Sequence, residues 1–346
     1  MTELQRRTSG SDADRLPPLM EARGLAMHFR GPPAGLLRRR RPVRSVDGID
    51  LRIACGSTVG LVGESGCGKS TTARLLMRLL QPTAGQILLD GRDITRLSQA
   101  KLRPLRPAFQ MIAQDPFSSL NPRMRVSRII AEPLEIAGLA AAERRPRIQQ
   151  ALARVSLTAQ HGERYPHEFS GGQRQRIAIA RALVLQPRLL ICDEPVSALD
   201  VSVQAQIINL LQDLQRDAGL TYLFVSHDLG VVKHIATEVA VMYLGRIVEH
   251  GPKRALFARP RHPYTHALLS AIPRVGARRS ERIVLQGDLP SPIDPPAGCR
   301  FHTRCPRARS ECRGEEPALR VVDADPADAN PADADPAHRV ACHFPL

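Results

Sequence analysis

Tryptophan is absent from this chain of 346 residues, and only 3% of its residues are aromatic. A base-stacking platform for single-stranded nucleic acid is therefore poorly supplied, although the formal charge of +15 would suit such a partner. Lysine is almost as scarce. Lys69, Lys101, Lys233 and Lys253 are the four lysines among 49 basic residues, so arginine replaces lysine throughout rather than in one dedicated patch. No run of about eighteen apolar residues exists, which excludes a membrane-spanning helix. The polar stretch Met1 to Arg15 lacks the apolar centre of a secretion signal. These absences predict a cytosolic chain whose charge suits the anionic inner face of a membrane better than nucleic acid. Its seven cysteines are then expected to be reduced or metal-bound rather than disulfide-paired.

What is present is organised around two glycine-rich stretches. Gly63-Glu64-Ser65-Gly66-Cys67-Gly68-Lys69-Ser70 fits a phosphate-cradling loop, between an apolar strand-like run (57–62) and a helix-like run, Thr71 to Leu80. Backbone N–H groups of such a loop point at anionic oxygens, and the helix N-terminus adds its dipole. Lys69 would reach the outer phosphates of a nucleoside triphosphate, and Ser70 would place a hydroxyl on Mg²⁺. The apolar strand Leu189-Leu190-Ile191-Cys192 ends in Asp193 and Glu194. At the C-terminal end of a parallel strand these acids lie beside the phosphate loop. Asp193 would hold Mg²⁺ through water, and Glu194 would polarise the water that attacks the γ-phosphate. Ser170-Gly171-Gly172-Gln173 opens a further helix, with Ser170 as its N-cap and two glycines leaving amides open to an anion. On a separate lobe this helix cannot face its own phosphate loop, so it is expected to complete the site of another subunit.

The length predicts one large domain and a smaller one. Residues 1–20 read as a disordered tail and 21–260 as an α/β domain of parallel strands with a helical lobe inserted between about 105 and 181. The run Arg38 to Arg41 reads as a solvated loop. Residues 261–346 read as a Pro-, Arg- and Cys-rich extension, within which Asp323 to Ala337 is a low-complexity insertion.

Together these motifs resemble the ATP-binding-cassette (ABC) ATPases over about residues 20 to 260. The resemblance implies a P-loop NTPase cassette, with a RecA-like parallel-sheet core plus a helical lobe, that binds ATP and Mg²⁺ between two head-to-tail subunits. Ser170 to Gln173 matches the family signature, Ser197-Ala198-Leu199-Asp200 its D-loop, and His227 the switch histidine that senses the γ-phosphate. Thr71 follows the phosphate loop as a further nucleotide contact. Phe29 is the candidate for the aromatic that stacks on adenine, or else a core residue. Gln114-Asp115-Pro116 with Ser119-Leu120-Asn121-Pro122-Arg123 resembles the Q-loop region of ATPases serving peptide and nickel importers, as do Tyr165-Pro166-His167-Glu168 and His262-Pro263-Tyr264-Thr265. In that family the Q-loop glutamine, here Gln114, contacts the metal or water site and links it to the membrane subunit. Ala113 departs from the bulky aromatic that relatives often carry there.

The resemblance implies an ATP-hydrolysing subunit of an importer for di- or oligopeptides or a related small substrate. Its partners would be two membrane permeases, a second ATPase as a heterodimer, and indirectly an extracytoplasmic binding protein, with the chain peripheral on the cytoplasmic face of the membrane. A soluble ABC ATPase acting on ribosomes or DNA, and the ATPase of an exporter, are the alternatives.

Cys55, Cys67 and Cys192 read as small apolar fillers. Cys299, Cys305, Cys312 and Cys342 are four cysteines in a short tail and suggest a metal site. Their spacing lacks the paired C-x2-C of common zinc modules, and four thiolates suit a [4Fe–4S] cluster as well as Zn²⁺. Some peptide-importer ATPases carry such a cluster in a tail that this one resembles. His302 and His343 are near enough to compete as ligands. Distance in sequence from the ATP motifs assigns the site a structural role.

Overall fold

The computed structural model describes residues 18–31, 41–115, 119–272, 283–322 and 338–346. Most of the arginine run and the whole of Asp323 to Ala337 lie outside them.

Two sheets form the frame. Strands β1 (Pro18–Phe29), β2 (Val43–Ala54), β4 (Ala84–Leu89) and β5 (Arg92–Asp93) make an antiparallel sheet in the order β2-β1-β4-β5. The larger sheet takes β3 (Thr58–Val62), β6 (Phe109–Ile112), β7 (Leu189–Asp193), β8 (Thr221–Ser226) and β9 (Glu238–Tyr243) in parallel, ordered β6-β7-β8-β3-β9. Strands β3, β7 and β8 are buried along their whole length, as continuous apolar runs in a parallel sheet covered on both faces must be.

The period of two sorts side chains between two cores. Leu189 and Ile191 of β7, with Leu223 and Val225 of β8, join the core shared with the antiparallel sheet and the helix Lys69–Leu76. Leu190, Cys192, Tyr222 and Phe224 point the other way, into the core of the helical lobe and the helix Val201–Ala218.

Several boundaries differ from the sequence reading. Strand β1 begins at Pro18, inside the stretch read as a tail. The phosphate-loop helix ends at Leu76 rather than Leu80, because Arg78 turns into the left-handed region at φ 50 and donates its buried Nε to Ile94 O at 2.9 Å. Strand β6 lies within the stretch read as helical. Four residues behind Pro107 are too few to show a period.

The extension is not a separate bead. Strands β11 (Arg320–Val321) and β12 (Arg339–Val340) continue the main sheet through β10 (Arg246–Pro252), which gives the edge order β11-β12-β10-β9.

Candidate active site

The phosphate loop joins the C-terminal end of β3 to the helix Lys69–Leu76. Its last glycine has no alternative. Gly68 sits at φ 111, and a Cβ there would lie 2.2 Å from Ser45 O. Lys69 is 4% exposed, and its Nζ donates to Gly63 O at 2.8 Å and Glu64 O at 2.9 Å, so the ammonium lies inside the loop. Burial pushes the Cys67 thiol up, against the pull of the Lys69 charge, which makes it a poor nucleophile. Ser45 Oγ donates to Thr71 Oγ1 at 2.9 Å and fixes the start of the helix to β2.

Neighbouring parallel strands bring the other groups to the same end of the sheet. Ser70 Oγ donates to Asp193 Oδ1 at 2.9 Å. Burial raises the Asp193 carboxyl and the Ser70 hydrogen bond partly offsets it, so a cation here would hold the group ionised. Glu194 sits at φ 48, a backbone conformation costly for a non-glycine residue, and its N–H donates to Val225 O at 3.0 Å. Gln114, just past the end of β6, donates its Nε2 to Glu194 Oε2 at 3.1 Å. His227, just past β8, places Nδ1 3.2 Å from Glu194 Oε1. A carboxylate with one polar partner on each oxygen, beside a serine–aspartate pair, can orient water at a phosphate held by the loop. The oxygen donors Ser70, Gln114 and Asp193 suit Mg²⁺.

The signature stretch stands elsewhere. Ser170 Oγ accepts from Gln173 N at 3.3 Å and Gln173 Oε1 accepts from Ser170 N at 3.1 Å, a reciprocal cap on the helix Gly171–Leu183. That helix packs in the helical-lobe core, whereas the phosphate-loop helix packs in the other core. Gly172 allows close approach to the next element: a Cβ would come within 2.5 Å of Val203 Cγ1. Arg181 of the same helix donates to Ser119 O at 2.7 Å and so ties the signature helix to the Q-loop region. Pro116 of that region lies outside the described residues. Asp200 is exposed and its side chain makes no cap bond to the helix it precedes, and Val201 beside it is 81% exposed. Phe29 is partly buried and pairs with Val43 across β1 and β2.

In the extension, Cys299, Cys305, Cys312 and Cys342 line one small cavity together with His302, His343 and Phe344. Burial pushes the Cys299 thiol up to about 11, and burial also raises Cys305 and Cys342. As these side chains stand, no three of the His, Cys, Asp or Glu groups among the described residues are arranged as ligands of one ion.

Sequence reasoning missed two contacts on the phosphate loop. Tyr264 Oη accepts from Glu64 N at 2.9 Å, and Arg304 forks onto the Glu64 carboxylate. The run His262-Pro263-Tyr264-Thr265 was visible as a motif, but nothing in the sequence named its partner. The extension, although far in sequence from the ATP motifs, therefore touches the phosphate loop directly.

A family described as ABC transporter matches residues 46–197, and one described as oligopeptide/dipeptide transporter, C-terminal region, matches residues 248–312. The oligopeptide transport ATP-binding protein AppF of Bacillus subtilis (strain 168) is 52% identical over 316 residues, spanning 90% of this chain and 92% of AppF. The di/tripeptide transport ATP-binding protein DppF of Pseudomonas aeruginosa (strain UCBPP-PA14) is 46% identical over 327 residues, 94% of this chain and 97% of DppF. Among solved structures, the dimeric post-hydrolysis state of the ATP-binding cassette MJ0796 bound to ADP and Pi gives a TM-score of 0.60 at 26% identity, covering 68% of this chain and 99% of that one. The cbiO1 protein from Clostridium perfringens, part of the ABC transporter complex cbiONQ, gives 0.61 at 28% identity, covering 70% and 91%.

Proposed function

This chain belongs to the oligopeptide/dipeptide branch of the ABC transporter ATPases, and from that premise we propose that its ATP hydrolysis energises the import of peptides through a membrane complex to which it is peripheral. The observation that carries the reading is the Glu194 carboxylate, held between Gln114 and His227 and next to the Ser70–Asp193 pair, at the mouth of the phosphate loop.

Lys69 and the loop amides bind the phosphates, and the neighbouring Ser70, Asp193 and Gln114 would hold Mg²⁺, which supplies charge neutralisation on the phosphates. Glu194 accepts hydrogen bonding from the attacking water, and His227 reports the γ-phosphate to the same carboxylate. Ser170, Gly171, Gly172, Gln173 and Asp200 face a second ATPase subunit, a different chain in a heterodimer, so that ATP closes the pair and hydrolysis reopens it. Gln114 and the loop after it carry that motion to two permeases, which receive peptide from an external binding protein. No helix among the described residues is long and apolar enough to cross a membrane, and a peripheral place under the permeases accords with that.

The four extension cysteines suit a [4Fe–4S] cluster by their thiol chemistry and shared cavity, with Zn²⁺ the other candidate. The cluster would cross-link the three short segments that carry Cys299 and Cys305, Cys312 and Cys342. The test of the main reading is purification of the tagged chain from its native membranes in mild detergent, with mass spectrometry of what accompanies it. Two permeases and a second ATPase are expected; ribosomes, DNA-repair proteins or no membrane protein would contradict it.

A further inference from the structure

Aromatic residues are scarce in this chain, yet three of them meet at one place. The rings of Tyr243, Tyr264 and Phe301 lie 4.8 to 5.3 Å apart between centroids, all fully buried, where β9, the helix Pro263–Ser270 and the extension join. Two groups reach from this junction to Glu64, the second residue of the phosphate loop. The Tyr264 hydroxyl accepts from its N–H. Arg304 donates Nη1 to Oε2 at 2.7 Å and Nη2 to Oε1 at 3.2 Å, with the arginine side chain 8% exposed and the glutamate 28%. The Tyr243 hydroxyl lies beside the same guanidinium. The carbonyl of Glu64 is one of the two that hold Lys69 Nζ, so the contact acts within one residue of the lysine's cradle.

A carboxylate in a loop built for polyphosphate is a liability, since like charges repel. The fork from Arg304 cancels that charge and draws the side chain away from the amides. Arg304 ends the turn His302–Arg304 and directly precedes Cys305, one of the four thiols around the extension's cavity. Whatever fixes that cavity therefore fixes the anchor of the guanidinium.

We propose that Arg304 is a positioning residue for ATP: it neutralises Glu64 and braces the phosphate loop, so that the cysteine-lined extension sets the affinity of the nucleotide site. The inference rests on the ATP-binding reading of that loop.

The test measures ATP affinity of the full-length chain by calorimetric titration, together with KM and kcat, for Arg304→Ala, Arg304→Lys and the double variant Arg304→Ala/Glu64→Gln. Arg304→Ala should weaken ATP by about tenfold and raise KM with kcat changed less than about twofold, and Arg304→Lys should recover part of the loss. The double variant should return to within about threefold of the wild type, because the unpaired carboxylate is gone. Wild-type affinity in Arg304→Ala would overturn the proposal. So would a double variant as weak as Arg304→Ala, which would mean that Arg304 only anchors the extension. Should Arg304→Ala fail to fold, Glu64→Gln alone decides: binding at least as tight as the wild type supports the proposal, and weaker binding overturns it. A wild-type chain that binds no ATP would instead contradict the reading of the loop itself.

Discussion

Glu194 occupies a left-handed backbone conformation at φ 48 that a non-glycine residue adopts only when its surroundings impose it. What imposes it here is the hydrogen bond from its N–H to Val225 O together with the side-chain contacts to Gln114 and His227. Replacing Glu194 by Gln keeps the shape and the backbone bond but removes the base. ATP binding should persist while turnover falls by about 10²- to 10⁴-fold, read by nucleotide titration beside phosphate release. Unchanged turnover would remove Glu194 from that role. Lys69→Ala acts one step earlier. It empties the buried cradle at Gly63 O and Glu64 O, so the expected loss is in ATP affinity, and an unaltered dissociation constant would contradict it. These single residues were the most legible part of the chain, because each stands at a fixed offset from a glycine loop or a strand end, and such offsets are local. Arg304 was not legible. Its partner Glu64 lies 240 residues away, and no local pattern encodes a contact of that span.

Between elements, the extension is fastened to the antiparallel sheet through buried charge. Arg300 donates to Asp47 Oδ2, His28 Nε2 lies 2.7 Å from Oδ1, and Arg44 and Arg246 stand near. Burial alone would raise the Asp47 carboxyl, but the hydrogen bonds from Arg300 and His28 outweigh it and bring the group down to about 2. A carboxyl lowered in the folded state stabilises above its unfolded pKa, near 3.9, and loses that contribution as pH falls toward 2. The stability gap between the wild type and Asp47→Asn, measured by denaturant unfolding, should therefore shrink by about 2 kcal/mol from pH 4 to pH 2. A constant gap would show that the cluster holds no such charge. The signature helix offers a second prediction at this scale. Gly172→Val would overlap Val203 and should cost about 1 to 3 kcal/mol, read as a lowered unfolding midpoint. Element types followed from continuous apolar strands and capped helices, whereas β6 and the end of the phosphate-loop helix did not, because a four-residue edge strand and a single left-handed arginine leave no periodic trace.

For the whole molecule, the phosphate loop and the Ser170 turn stand on different cores. The exposed turn at Ser170, the exposed Asp200 and the apolar Val201 beside it are surfaces suited to a second subunit. The family was legible in the sequence because its motifs fall in one fixed order. The edge of the main sheet built from β10, β12 and β11 was not, because its last strands are two residues each. The central claim is that hydrolysis at Glu194 powers peptide import. The most direct measurement is uptake of labelled di- and oligopeptides by cells whose own copy carries Glu194→Gln, compared with the wild type and with cells lacking the chain. The account predicts uptake at the level of the deletion, although the variant protein is present at normal abundance. Uptake at the wild-type rate for every peptide tested would contradict it.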